Sequence, residues 1–92
     1  MLELRFTAKF KRDYKRIKKQ RKDLSKLETT LEALMHGDDL PEAMRDYSLG
    51  GTYRGHRECH IEPDWLLIYR IDEEGLVLVA TRTGSHSELL GL

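Results

Sequence analysis

The strongest constraint on the fold is one apolar run, residues 65–71, with the sequence Trp-Leu-Leu-Ile-Tyr-Arg-Ile. A run of this length with hardly any polar side chains is typical of a strand that is buried on both faces. Such a strand needs a neighbour on each side, and residues 53–61 and 76–81 both show strand periodicity. Turns at 63–64 and 72–75 connect the three. The C-terminal half therefore predicts a three-stranded antiparallel meander with the apolar run at its centre.

The N-terminal half has helical periodicity after a short alternating segment, residues 2–6. Thr7 is suited to cap a first helix, and Asp23 is suited to cap a second helix that Gly37 ends. The apolar stripes are Phe6, Phe10, Tyr14 and Ile17 in the first helix and Leu24, Leu27, Leu31 and Leu34 in the second. The short link between them predicts an antiparallel helical hairpin.

This order of elements predicts an α+β fold. We expect an N-terminal strand and the helical hairpin to pack on one face of a mainly antiparallel four-stranded sheet. The sequence has no repeat and no linker, so residues 1–92 are expected to form a single domain. No apolar run approaches the ~18 residues of a membrane span, and one cysteine excludes an internal disulfide. We therefore expect a cytoplasmic protein without a membrane partner.

Charge divides unequally between the two halves, although the formal net charge is zero. Residues 1–35 carry eleven Lys or Arg against five Asp or Glu, whereas residues 36–92 carry five against eleven. The basic half suits a polyanion or an acidic protein segment. On the first helix, the lysines expected to bind substrate phosphates are Lys9, Lys15, Lys18 and Lys19.

The open face of the sheet carries the candidate chemistry. Alternation along the second strand places Arg54, His56, Glu58 and His60 on the side away from the helices. His86 follows the last strand, so its loop can lie at the same end of the sheet as His60 or Asp64. Two imidazoles across a gap suit attack of a 2′-hydroxyl on a phosphate, one as general base and the other as general acid. Asp64 or Glu58 can orient a ring, whereas a purely structural role is the alternative for His60.

Arg82 and Trp65 each have a functional and a structural interpretation. Arg82 can bind two oxygens of the phosphorane, or it can pair with a neighbouring acid. Trp65 can stack on a base, or it can be a core residue at the head of the central strand.

Two other chemistries have weaker support. A zinc site made of His60, Asp64 and His86, with or without His56, matches no compact zinc spacing. Cys59 alternates towards the helices, where a buried thiol is unreactive. We therefore expect neither a metal ligand nor a cofactor.

Three segments resemble the YafQ-type toxins of the RelE/ParE superfamily, and the likeness extends over nearly the whole chain. They are Leu-Gly-Gly-Thr-Tyr-Arg-Gly at 49–55, Arg-Glu-Cys-His-Ile-Glu-Pro-Asp-Trp at 57–65 and Arg-Thr-Gly-Ser-His at 82–86. The resemblance implies a RelE-like, microbial-ribonuclease-type fold and the toxin component of a type II toxin–antitoxin system. The implied activity is ribosome-dependent, metal-independent cleavage of mRNA in the ribosomal A site, which inhibits translation and arrests growth.

The resemblance also implies a set of partners. These are the 70S ribosome, its mRNA and a cognate antitoxin, a DinJ- or RelB-like ribbon-helix-helix dimer whose C-terminal segment wraps the toxin. Operator DNA would be bound only through the antitoxin.

By position, the family's catalytic histidine falls on His60, and the acid before it, usually Asp, falls on Glu58. Tyr47 stands where the best-known member has a histidine with a proposed catalytic role, and a phenol is a poor base at neutral pH. The resemblance thus implies catalytic roles for Glu58, His60, Asp64, Arg82 and His86 and substrate contacts for Tyr47, Arg54 and Trp65.

The alternative function is a toxin that does not cleave RNA, like the gyrase-inhibiting ParE-like branch of the same fold, or an inactive protein-binding module. That branch does not need clustered histidines. The combination of His60, Asp64 and His86 therefore favours the nuclease.

Overall fold

Five strands form one mixed sheet in the computed structural model, which describes residues 1–72 and 74–91. The sheet order is β1-β5-β4-β3-β2, with β1 parallel to β5 and every other pair antiparallel. The strands are β1 Glu3–Phe6, β2 Tyr47–Ser48, β3 Arg57–Glu62, β4 Trp65–Asp72 and β5 Val77–Gly84; the helices are α1 Ala8–Lys19, α2 Leu24–Met35 and α3 His86–Leu90. The α+β class and the central strand are confirmed, but the sheet has five strands where the sequence predicted four.

Both long helices begin where the sequence predicted. The Thr7 hydroxyl accepts from the backbone N–H of Phe10, and the Asp23 carboxylate accepts from that of Ser25. Gly37, with φ of 75°, follows the end of α2. Within the described residues, no helix combines the length and the apolar character that crossing a membrane requires.

The helical hairpin packs on one face of the sheet. Its buried side chains meet the β4 residues Trp65, Leu67 and Tyr69 in a single apolar core. From the helices this core contains Phe10, Ile17, Leu27, Leu31 and Leu34. On the opposite face, Leu66 and Ile68 are covered in part by Leu89 of α3.

The segment before β3 differs from the prediction. A strand was expected from residue 53, but β3 begins only at Arg57. Residues 51–53 form a 3₁₀ turn, and the positive φ of Gly51 and Gly55 breaks the extended backbone on either side. Arg54 and His56 therefore do not continue the alternation of Glu58 and His60. The short strand β2 and the helix α3 were not predicted; Glu73 of the predicted hairpin loop lies outside the described residues.

Thr7, which caps α1, and side chains of α1 itself form hydrogen bonds with the backbone of β5 beyond the end of β1. The Thr7 hydroxyl donates to the carbonyl of Thr81 (2.7 Å), and the Arg16 guanidinium donates to the carbonyl of Thr83 (3.1 Å). The Asp13 carboxylate accepts from the backbone N–H of Thr83 (3.2 Å). Because these backbone groups would otherwise lack a strand partner, α1 fixes the end of β5 and the start of α3.

Candidate active site

His60 and His86 meet on the sheet face opposite the helical hairpin. In the register of the sheet, Leu66 of β4 pairs with His60 on one side and with Gly84 on the other. The chain leaves β5 at Gly84, and His86 begins α3 two residues later. The centroids of the two imidazole rings lie 5.3 Å apart. The predicted meeting of two histidines distant in sequence is confirmed.

Asp64 holds the ring of His86. Its Oδ1 atom lies 2.7 Å from Nδ1 of His86 and accepts from the His86 backbone N–H at 2.9 Å. A carboxylate only accepts, so Nδ1 carries the proton and Nε2 faces away from Asp64. The backbone hydrogen bond from His86, followed by that from its ring, lowers the pKa of Asp64. Asp64 therefore stays ionised at neutral pH.

The ring of His60 is held in the same way. Its Nδ1 lies 3.3 Å from the backbone carbonyl oxygen of Met44, which also only accepts. Its Nε2 is therefore the nitrogen with the free lone pair, and it lies 3.8 Å from a carboxylate oxygen of Glu58. The site thus presents two Nε2 atoms, each oriented by an acceptor on the other ring nitrogen.

Glu58 is fully buried beside His60. Neither of its carboxylate oxygens has a hydrogen bond of normal geometry, which is rare for a buried acid. Tyr47 pairs with Glu58 across β2 and β3, and its phenol lies close enough to the carboxylate to raise the pKa of Tyr47 above 10. Glu58 was expected on the open face of its strand; its complete burial was not expected.

Arg82 is held by Asp13 of α1. Its Nε and Nη2 donate to the two oxygens of the buried Asp13 carboxylate, at 2.6 and 3.0 Å, and its Nη1 donates to the phenol of Tyr53 at 3.3 Å. The hydrogen bonds to Asp13 raise the pKa of Arg82 further above its usual value. In the sheet, Ile68 of β4 lies between Glu58 of β3 and Arg82 of β5, so β3 and β5 lie about 10 Å apart. Of the two roles predicted for Arg82, the structure shows the pairing with an acid.

The sequence profile of the family described as "Bacterial toxin of type II toxin-antitoxin system, YafQ" matches residues 2–91. The chain belongs to the YafQ family of bacterial toxins. The mRNA interferase toxin YafQ of Escherichia coli K12 is 33% identical over 90 residues, which cover 97% of this chain and 96% of that protein.

Solved structures of YafQ and related toxins share this fold. The E. coli DinJ–YafQ complex has a chain that superposes with a TM-score of 0.89 at 33% identity and covers 99% of this chain and 100% of that one. A metal-bound toxin from Helicobacter pylori superposes with a TM-score of 0.91 at 37% identity, covering 98% and 100%. The predicted membership of the YafQ family is confirmed.

Trp65 does not lie where the predicted substrate contact requires. Its side chain is fully buried in the core under the helices, and its indole N–H donates to the hydroxyl of Thr83 at 2.9 Å. A base cannot stack on a ring without exposed surface. The prediction of a base contact was therefore wrong for Trp65, and the core interpretation holds.

The predicted basic residues of this YafQ-family chain lie on the surface, but they do not form one continuous patch. Arg54 is exposed at the end of the 3₁₀ turn before β3. On α1, Lys9, Lys15, Lys18 and Lys19 are all exposed. None of these side chains has a contact with the two histidines that the structure shows. Cys59 is buried in the core, and burial raises its pKa to about 12, so its thiol is unreactive as expected.

Two residues near the site were not predicted. Lys22 lies in the link between α1 and α2, close enough to Asp64 to lower its pKa, and it lines a cleft of about 380 Å³ with Asp64 and Ser85. Asp13, which holds Arg82, has a recognisable signal in the sequence. It lies three residues after Phe10 and four before Ile17, on the apolar stripe of a helix that is otherwise basic.

Proposed function

We propose that this YafQ-family toxin is an endoribonuclease that cleaves mRNA on the ribosome by general acid–base catalysis, without a metal ion or another cofactor. The observation that carries the proposal is the pair of imidazoles with centroids 5.3 Å apart, each with Nδ1 held by an acceptor. The relative from E. coli K12 is named an mRNA interferase. The same reaction class is therefore proposed for this chain.

His60 acts as the general base in this mechanism. Its Nε2 takes the proton of the 2′-hydroxyl, and the 2′ oxygen forms a bond to phosphorus. The ring becomes positively charged as it does so. Glu58, with a carboxylate oxygen 3.8 Å from that nitrogen and no regular hydrogen bond of its own, stabilises the new charge.

His86 acts as the general acid. Its protonated Nε2 donates to the 5′ oxygen as the bond from phosphorus to that oxygen breaks, which leaves a 2′,3′-cyclic phosphate and a 5′-hydroxyl. The ionised carboxylate of Asp64 on Nδ1 stabilises the charged ring before the transfer. One proton enters at His60 and one leaves at His86, so the reaction is balanced.

The phosphate is bound by cations around this pair. Arg82 contributes a positive charge that Asp13 holds in place, although most of its donors are already used. Lys22 is the lysine that lies beside Asp64. Arg54 and the lysines of α1, Lys9, Lys15, Lys18 and Lys19, are proposed to bind more distant phosphates of the mRNA or the ribosomal RNA.

The proposal is tested with purified protein, 70S ribosomes and a defined mRNA in the A site. We expect cleavage within a codon, products with 5′-hydroxyl and cyclic phosphate ends, and an unchanged rate in a strong chelator. The chelator is included because the H. pylori toxin is described as metal-bound. Products with 5′-phosphate ends, or loss of activity in the chelator, would contradict the mechanism and favour a metal-dependent hydrolase.

The biological partners follow from the same assignment. We propose that a DinJ-like antitoxin binds and inhibits this toxin, as the E. coli complex suggests, and that operator DNA is bound only through the antitoxin. Its ribosomal substrate places the toxin in the cytoplasm. The gyrase-inhibiting alternative predicts intact transcripts and damaged DNA in cells that express the toxin, so mapping of transcript 5′ ends separates the two.

Tyr47 is not expected to be the base. The weak hydrogen bond from its phenol to Glu58 raises the pKa of Tyr47 and thereby stabilises the neutral phenol. This stabilisation is present below pH 10 and is lost as the pH rises through the raised pKa of Tyr47. We predict that Tyr47→Phe lowers the cleavage rate by about tenfold at most and leaves the shape of the pH–rate profile between pH 5 and 9 unchanged. If the acidic or alkaline limb of the pH–rate profile shifts in Tyr47→Phe, Tyr47 takes part in proton transfer.

A further inference from the structure

We propose that Glu58, His60 and His86 form a binding site for a divalent transition-metal ion, Zn²⁺ or Cu²⁺, and that the bound ion switches the toxin off. One potential ligand atom from each of the three residues lies within 4.8 Å of the others. The binding site is independent of the reaction, whereas the inhibition rests on the function proposed above.

The orientation of both rings favours metal binding. Each Nδ1 is held by an oxygen acceptor, Met44 O for His60 and Asp64 for His86, so both Nε2 atoms present a lone pair. A carboxylate on the far nitrogen of a ligating histidine is the arrangement that proteins commonly use to orient and strengthen such a ligand. Asp64 therefore serves the site without touching the ion.

Glu58 supplies an independent observation. Its side chain has no exposed surface, and its two oxygens have no regular hydrogen bond. A buried carboxylate without a hydrogen bond of regular geometry is costly, and a cation beside His60 would compensate its charge. The acid is aimed at the site, since one of its oxygens lies 3.8 Å from Nε2 of His60.

The donor set selects the ion. Two imidazoles and one carboxylate suit Zn²⁺ and Cu²⁺, whereas Mg²⁺ and Ca²⁺ prefer oxygen ligands alone. Tetrahedral metal–ligand bonds of about 2.0–2.2 Å place the ligand atoms roughly 3.3–3.6 Å apart, so ligand atoms within 4.8 Å of one another must approach by up to about 1.5 Å. His86 can move by this amount because its side chain is one-third exposed (33%) at the first position of a short helix.

Binding of the ion would block the nitrogen atoms that act in catalysis. General base and general acid both act through Nε2, and a metal ion takes those two lone pairs together. The metal-free protein is then the active form, and the loaded protein can neither accept nor donate the required protons. Zinc would inhibit cleavage and a chelator would restore it.

Binding is tested by titrating the metal-free protein with Zn²⁺ in a calorimeter. We expect one ion per chain and a Kd that rises about tenfold or more in His60→Gln, His86→Gln and Glu58→Gln. Asp64→Asn keeps all three ligands and should still weaken binding by about 10–100-fold. His36→Gln and His56→Gln remove histidines outside the cluster and should leave the Kd unchanged; circular dichroism checks that each variant is folded.

Electron paramagnetic resonance of bound Cu²⁺ gives a second readout. The parent protein should show coupling to two imidazole nitrogens, and His60→Gln and His86→Gln should each show one. Unchanged zinc affinity in these two variants, or loss of binding in the His36 or His56 variant, would overturn the site. Undiminished cleavage with the site saturated by Zn²⁺ would overturn the inhibition. Absence of cleavage by the metal-free protein would instead overturn the proposed function, while the titration still decides the site.

Discussion

His86→Gln is expected to lower the rate of mRNA cleavage by about 10²–10⁴-fold, the range in which a well-placed general acid contributes. Glutamine is close to histidine in size and can form hydrogen bonds at the surface. Its amide, however, cannot transfer a proton to the 5′ oxygen. The fold should be unaffected, because His86 is partly exposed and the capping box between Ser85 and Glu88 starts α3 independently of it.

The measurement is single-turnover cleavage on programmed ribosomes across pH 5–9. In His86→Gln the fall in rate at alkaline pH should disappear, since that limb reports deprotonation of the acid. The matched control is His36→Gln, an exposed histidine that follows the end of α2. A His86 variant that cleaves within threefold of the parent, or one that keeps the alkaline limb, would contradict the assignment.

The meeting of the two histidines was predictable from the sequence because it depends on strand periodicity and strand order. Alternation places Glu58 and His60 on one face of β3. The meander places β5 next to β4, so a residue just after β5 is one strand away from the partner of His60. Strand alternation is a local property, and the strands of the meander are joined by short connections. Tertiary packing did not change either feature.

The burial of Glu58 and the pairing of Arg82 depend instead on how separate elements pack. Tyr47 comes from a two-residue strand whose polar sequence has no strand signal, so nothing in the pattern predicted a cover for Glu58. Asp13 reaches Arg82 because α1 runs along the free edge of β5. That placement is set by the rotation of the helix against the sheet, which periodicity alone does not fix.

The start of β3 shows a third kind of difference. Alternation of side chains continued through residues 53–56, yet the backbone there turns at Gly51 and Gly55. Glycine permits both an extended and a left-handed backbone, so the hydrophobic pattern could not distinguish a longer strand from a turn. Arg54 and His56 were misplaced for this reason.

Asp13→Ala should have the largest effect on stability. The buried Asp13 carboxylate binds two nitrogens of Arg82, lies 3.0 Å from the guanidinium of Arg16 and accepts from the backbone N–H of Thr83. Removing it takes both carboxylate acceptors from Arg82 and the acceptor from the Thr83 N–H, whereas Arg16 loses one of its ion pairs and keeps the one with Glu88. Breaking a buried ion pair lowers the free energy of unfolding by about 3–5 kcal/mol. Because both arginines are partly exposed, we expect a decrease near the lower end of this range. A domain of this size would then unfold on the order of 15 °C lower.

Thermal and urea unfolding of five variants measure this effect and identify its cause. Asp13→Asn keeps one acceptor oxygen for Thr83 and should lose less stability than Asp13→Ala. Adding Arg82→Met to Asp13→Ala removes the unpaired charge and should recover part of the lost stability; with the Arg82→Met single variant, a double-mutant cycle quantifies this coupling. Asp38→Ala, which removes an exposed acid, is the control and should change the free energy of unfolding by less than about 0.5 kcal/mol. If Asp13→Ala unfolds at the temperature of that control, the carboxylate does not fix the end of β5, and the position of His86 must be set by α3 and Asp64 alone.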